Sequence, residues 1–162
     1  MLQTHAHALP VANDVRTLGW REWMALPGLG LGALKAKLDS GARTSSLHVE
    51  SIESYLDGGA RWLQFRVRPR RSAARVVTCR APVVDRRRVT DSGGHRDERW
   101  FVMVEAELAR QRFEMEMNLT DRGSMLFPLL LGRSAIAGRF RIDPALSYTC
   151  PRPTRTKTGN PA

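Results

Sequence analysis

Asp39 is followed by Ser40, Gly41 and Ala42 and preceded by an alternating apolar run of Leu34, Ala36 and Leu38. Alternation of this kind belongs to a half-buried strand, so the carboxylate arrives at the end of a rigid element and enters a turn. Gly41 lets backbone N–H groups approach that carboxylate closely. By itself Asp-Ser-Gly is an ordinary turn tripeptide. A second element far downstream, Phe127-Pro128-Leu129-Leu130-Leu131-Gly132-Arg133, gives it a possible supporting strand. The tripeptide recurs at Asp91-Ser92-Gly93. There Gly94 and the polar run His95-Arg96-Asp97-Glu98 follow, with no apolar-apolar-Gly strand to underlie it. The second copy reads as the tip of a long hairpin.

Together the Asp39 turn and the Leu-Leu-Gly-Arg strand resemble the retropepsin-like aspartic proteases. The match is closer to a bacterial branch labelled ATP-dependent zinc proteases. Residues Lys37 to His48 match its first segment, Lys-x-Asp-Ser/Thr-Gly-Ala-x-Thr-Ser-x-Leu-His. Leu119-Thr120-Asp121-Arg122 with Met125, Pro128 to Arg133, and Phe140-Arg141-Ile142-Asp143-Pro144 follow in the family's order, over residues 20–148. The resemblance implies a closed all-β barrel with one short helix and a flap hairpin, the flap falling at Asp91, Ser92, Gly93 and Gly94. It implies Asp39 as the catalytic residue, with Ser40, Gly41, Ala42, Thr44, Gly132 and Arg133 supporting its loop. His48, matched in the bacterial branch, could orient a neighbour, touch substrate or be a buried structural histidine. Asp121 and Asp143 are expected to pair with arginines.

Peptide hydrolysis by this mechanism needs two close carboxylates sharing one proton, one a base on water, the other an acid on the carbonyl. Like charges that close titrate as a coupled pair. The chain offers one qualified aspartate, so the expected enzyme is a homodimer with Asp39 from each subunit meeting across a two-fold axis. Family members are associated with glutamate ligases, which implies an acidic or glutamate-extended peptide substrate. Two other readings stay open: the same barrel with an unused dyad that binds acidic tails, and a basic nucleic-acid binder. No recognised nucleic-acid motif is present, and aromatics do not interleave with the arginines.

No metal and no cofactor are expected. There is no His-Glu-x-x-His or Cys-x-x-Cys, and His5 and His7 lie in an aperiodic arm. His48, Cys79 and His95 are scattered. Gly28, Gly30 and Gly32 lack the lysine of a phosphate loop and read as turn residues, which leaves the ATP in the branch's label without a basis in the sequence.

The elements that must position Asp39 are short strands. Expected strands cover 20–26, 31–39, 47–55, 61–67, 76–90, 100–108, 113–119 and 139–142, with a helical turn at 134–138. Asp57-Gly58-Gly59 signals a hairpin, and Pro82 signals an edge or a bulge. Loops at 56–82 are expected to make up the length beyond a minimal retropepsin. Residues 1–19 read as a flexible arm, 20–148 as the domain and 149–162 as a disordered tail.

The chain has 162 residues, enough for one domain with its own core, and no run of 18 apolar residues. Neither a membrane span nor an export signal is expected, which places Cys79 and Cys150 reduced in the cytoplasm. The net charge is +10, and all but three of the 26 basic residues are arginine. The clusters at Arg66, Arg68, Arg70, Arg71, Arg75 and at Arg86-Arg87-Arg88 suit either a solvated strand face or an acidic partner.

Overall fold

The computed structural model describes residues 15–70, 74–91, 93–121 and 126–153. It is built almost wholly of strands: β1 (Arg16–Leu18), β2 (Arg21–Leu26), β3 (Leu31–Asp39), β4 (Ser45–His48), β5 (Ser51–Asp57), β6 (Ala60–Val67), β7 (Val77–Thr90), β8 (Arg96–Leu108), β9 (Gln111–Thr120), β10 (Leu129–Gly132) and β11 (Phe140–Ile142), with one short helix, α1 (Arg133–Ile136). No helix among the described residues is long and apolar enough to cross a membrane.

Nine strands form one sheet in the order β2-β3-β10-β4-β9-β8-β7-β6-β5. An added pairing of Ala25 with Glu107 joins β2 to β8, so the six strands from β2 to β8 close into a ring. The alternating residues Leu34, Ala36 and Leu38 of β3 point into this ring. There they meet Leu47, Met117, Leu119, Leu129 and Leu131, all buried. Burying such a side chain contributes about 1.5–3 kcal/mol before chain entropy is set against it.

The decisive feature of the topology is the place of β10. Consecutive strands β3 and β4 do not pair; β10 enters between them, parallel to β3 and antiparallel to β4. The loop from Asp39 to Thr44 must therefore pass over the end of β10.

Most expected strands are present, with instructive departures. The single strand expected at 47–55 is two, β4 and β5. Val49 and Glu50 between them bond instead to Thr120 and Arg66, at 3.0 and 2.8 Å. The extra loops expected at 56–82 are largely a hairpin of β5 and β6 continued by the first half of β7. Gly58 and Gly59 take φ of 57° and 80° at its turn, as the Asp-Gly-Gly signal demands. The β8–β9 hairpin turns on Ala109 and Arg110, whose φ of 54° and 63° carry no such signal in their residue types. Pro82 pairs with Trp62 where β7 leaves β6 for β8, beside a register shift between Val83 and Asp85. Missing its N–H, proline fits such a crossover.

Both expected domain boundaries move outward. Arg16–Leu18, assigned to the arm, pairs in parallel with β11. Thr149 and Cys150, assigned to the tail, are tied to Glu22, which is fully buried. That carboxylate accepts bonds from the N–H of Gly19 at 2.8 Å, the N–H and hydroxyl of Thr149 at 3.0 and 2.6 Å, and the N–H of Cys150 at 3.2 Å. A buried charge is tolerated only when so satisfied, and the two ends of the chain supply the donors. Burial pushes the Cys79 thiol up to about 11, which makes it a core residue and not a nucleophile.

Candidate active site

Asp39 is the last residue of β3, half-buried, and paired in register with Gly132. Its Oδ1 accepts a bond from the Gly41 N–H at 2.9 Å, and its carbonyl accepts one from the Ala42 N–H at 3.3 Å. The loop is held from below by β10 and α1. The Arg133 N–H donates to the Ala42 carbonyl at 2.7 Å and the Ser134 N–H to the Arg43 carbonyl at 3.0 Å. The Arg133 guanidinium reaches back to the Ser40 carbonyl at 2.9 Å. Arg133 thus fastens both the strand–helix junction and the catalytic loop.

Gly132 is a glycine because of how closely the chain passes. A Cβ there would lie 2.5 Å from the carbonyl carbon of Thr44 and 2.8 Å from the Ser45 nitrogen. Thr44 therefore contributes backbone, while the side-chain support comes from its neighbour: Ser45 Oγ accepts the Gly132 N–H at 3.0 Å. Ser46 donates to Asn118 Oδ1 at 2.8 Å. Of the expected hydroxyl support, the two serines carry it.

The flap residues form a hairpin tip between β7 and β8. Asp91 Oδ1 accepts from the Gly93 and His95 N–H groups at 2.8 and 3.0 Å, and Gly94 takes φ 82°. Ser92 lies outside the described residues. His48 ends β4 opposite Pro128, to whose carbonyl its N–H donates at 2.8 Å. Four strand residues separate Pro128 from Gly132, about 13 Å, so within one chain His48 and Asp39 are not brought together. His48 Nδ1 is buried and without a partner among the described residues. Asp143, expected to pair with an arginine, instead accepts the Ala145 N–H at 2.9 Å in a turn.

The arginine clusters are largely paired within the chain. Arg86 meets Glu98 at 3.2 Å and lies over the Trp100 ring. Arg87 meets both Asp85 and Glu116, and its guanidinium, with the Arg86 N–H, holds the Asp85 carboxyl below its ordinary range. Arg68 pairs with Glu50. These pairs strengthen the solvated-face reading of the positive charge. Among the described residues no three His, Cys, Asp or Glu side chains are grouped to hold a metal.

Sequence reasoning passed over Arg99, Asn118 and Ser46 as a group. Asn118 Oδ1 receives both the Ser46 hydroxyl and Arg99 Nη1, the latter at 3.2 Å, and all three residues are buried. Nothing in local spacing links positions 46, 99 and 118; only strand register assembles them.

The chain was compared with known proteins. Residues 17–153 match the model of the RimB-like family, described as retropepsin-like aspartic endopeptidase RimB. A probable alpha-L-glutamate ligase of Desulfotalea psychrophila is 39% identical over 132 residues, 81% of this chain and 28% of that protein. One from Shewanella pealeana is 37% identical, over 81% of this chain and 29% of that protein. The chain thus spans less than a third of the length of these curated relatives. A solved Legionella pneumophila protein of unknown function is similar with a TM-score of 0.71 and 31% identity, covering 83% of this chain and 97% of that one. With the Asp39 loop, the strand beneath it and the family match in agreement, the chain belongs to the RimB-like family of retropepsin-like aspartic endopeptidases.

Proposed function

We propose that the protein is an aspartic peptidase whose active form is a homodimer, with Asp39 of each subunit contributing one carboxylate. The observation that carries this reading is the Asp39–Gly132 pairing: it is the Asp-Ser-Gly turn fastened to a Leu-Leu-Gly-Arg strand. One carboxylate removes a proton from water as the oxygen attacks the amide carbon, while the protonated partner gives its proton to the carbonyl oxygen. Collapse of the tetrahedral adduct expels the amine, which leaves protonated, and the pair returns to one shared proton.

The substrate class proposed is a glutamate-rich peptide tail. Relatives named as probable alpha-L-glutamate ligases support it, because a ligase of that name makes the bond such a peptidase would cut. The same relatives favour a second reading, a module that recognises glutamate tails without cutting them, since this chain matches only a part of each.

Dominant interference separates the two. Wild-type protein is mixed with increasing Asp39→Asn protein and assayed on a glutamate-extended peptide, with sedimentation to follow the dimer. A shared dyad requires activity to fall as mixed dimers form. Activity that simply scales with the wild-type fraction would refute the shared site, and binding without turnover would support the recognition module.

A further inference from the structure

Strand register places Asp39 and a buried arginine on one face of the ring. Paired residues point to the same side of a sheet, and alternate residues along a strand do too. Asp39 pairs with Gly132, Leu130 with Ser46, Ser46 with Asn118, and Asn118 with Phe101, two residues from Arg99. The opposite face carries Ala36, Leu129, Leu47 and Leu119, all in the core. Asp39, Leu130, Ser46, Asn118 and Arg99 therefore line the side of the ring turned away from that core.

Arg99 is unusual on this face. Its side chain is only 8% exposed, yet its charge is incompletely used. Nε donates to Asp97 at 3.1 Å and Nη1 to Asn118 at 3.2 Å, while Nη2 is buried and finds no partner among the described residues. Buried donors left open cost stability and call for an explanation. Asp97, half exposed, engages the guanidinium through Nε alone, which leaves the Nη2 edge for a second carboxylate. Asn118 and Ser46 hold the guanidinium from the side nearest β10. Asn118 sits two strand spacings from β10, about 10 Å, the span of about three residues of extended peptide.

We propose that Arg99 is the residue that selects acidic substrate, taking the carboxylate of a glutamate two or three residues from the bond to be cut. The inference rests on the peptidase reading for its placement, though it concerns recognition and can fail or stand separately. Arginine suits the task because its planar fork binds a carboxylate through two N–H groups and stays charged at any working pH.

The test compares a glutamate-rich peptide with its glutamine counterpart, on wild type and Arg99→Gln, by kcat/KM. Binding of both peptides to Asp39→Asn and Asp39→Asn/Arg99→Gln proteins is measured by calorimetry. The expected result is about a 10–100-fold loss for the glutamate peptide, with the glutamine peptide changed less than about two-fold. Equal losses on both peptides, no loss, or no binding of the glutamate peptide to Asp39→Asn protein would overturn the proposal. Should Arg99→Gln fail to fold, the guanidinium nitrogen resonances of Arg99 in Asp39→Asn protein decide: they must shift with the glutamate peptide and not with the glutamine one. A binding difference without any turnover would keep Arg99 and refute the peptidase reading.

Discussion

Asp39-Ser40-Gly41 and Asp91-Ser92-Gly93 are one tripeptide used twice, and the backbone bends alike in both. The Gly41 N–H meets Asp39 Oδ1 at 2.9 Å, and the Gly93 N–H meets Asp91 Oδ1 at 2.8 Å. The turn is thus a local property of the aspartate side chain and the following glycine. What differs is who else holds it. The Asp39 turn is fastened by Arg133 and lies over Gly132, more than ninety positions away along the chain. The bonds shaping the Asp91 turn come from Gly93, Gly94 and His95, and the hairpin carrying it stands on its own ion pairs at Asp85, Arg87 and Glu116. A catalytic aspartate has to be held to a fraction of an ångström by groups that are themselves packed; a hairpin tip does not provide that.

The largest expected effect breaks this comparison outright. Asp39→Asn keeps the Oδ1 acceptor and hence the fold, and should lower turnover at least ~10²–10⁴-fold. Asp91→Asn should leave the chemical step within a few-fold. The two variants assayed side by side, with circular dichroism as the control, would reverse the assignment if their effects were exchanged.

Next come the glycines. Gly132→Ala forces a methyl to 2.5 Å from the Thr44 backbone and should destabilise the protein by roughly 1–3 kcal/mol or more. At Gly93 the nearest atom to a Cβ is the Asp91 carboxylate at 3.2 Å, a side chain able to shift, and Gly93→Ala should stay within about 0.5 kcal/mol. Urea unfolding of the pair measures the contrast directly.

Arg133→Gln removes the guanidinium bond to Ser40 on the exposed side of the loop and should cost about 1 kcal/mol. Activity should fall further than stability accounts for, because the loop loses its tether while the core survives. Equal losses in melting temperature and in activity at a temperature well below melting would argue against that positioning role.

The smallest effect concerns acid. The Asp85 carboxyl is held below its ordinary value of 3.8 chiefly by the Arg87 guanidinium. A depressed carboxyl stabilises the fold above its unfolded value, and that contribution is lost as pH falls through the lower, folded one. Melting temperature followed from pH 6 to pH 3 should drop below about pH 4 in wild type and drop less in Asp85→Asn. An identical drop in both would place the acid sensitivity elsewhere than the base of the Asp91 hairpin.

Much of the architecture was legible before any coordinates. The alternation in 31–39 marks β3, Asp57-Gly58-Gly59 marks its hairpin, and the two motifs together mark Asp39 and Gly132. The misreadings have physical causes. The β4–β5 break carries no Gly or Pro because Val49 and Glu50 find backbone partners in Thr120 and Arg66 instead of a turn. The strand at 16–18 and the ordered Thr149 and Cys150 depend on β11 and Glu22, partners far away in sequence. Such short segments cannot show their own periodicity.

The sequence alone determined the strands, the turn chemistry of both Asp-Ser-Gly copies, and which copy had a supporting strand to meet. These follow from local rules: side-chain alternation with period two and the turn preferences of Asp and Gly. Tertiary structure alone decided that β10 slips between β3 and β4, that Arg133 reaches Ser40, and that Ser46, Arg99 and Asn118 share a face with Asp39. Those outcomes hang on register between strands distant in the chain, and a shift of one residue would turn each of these side chains to the opposite face.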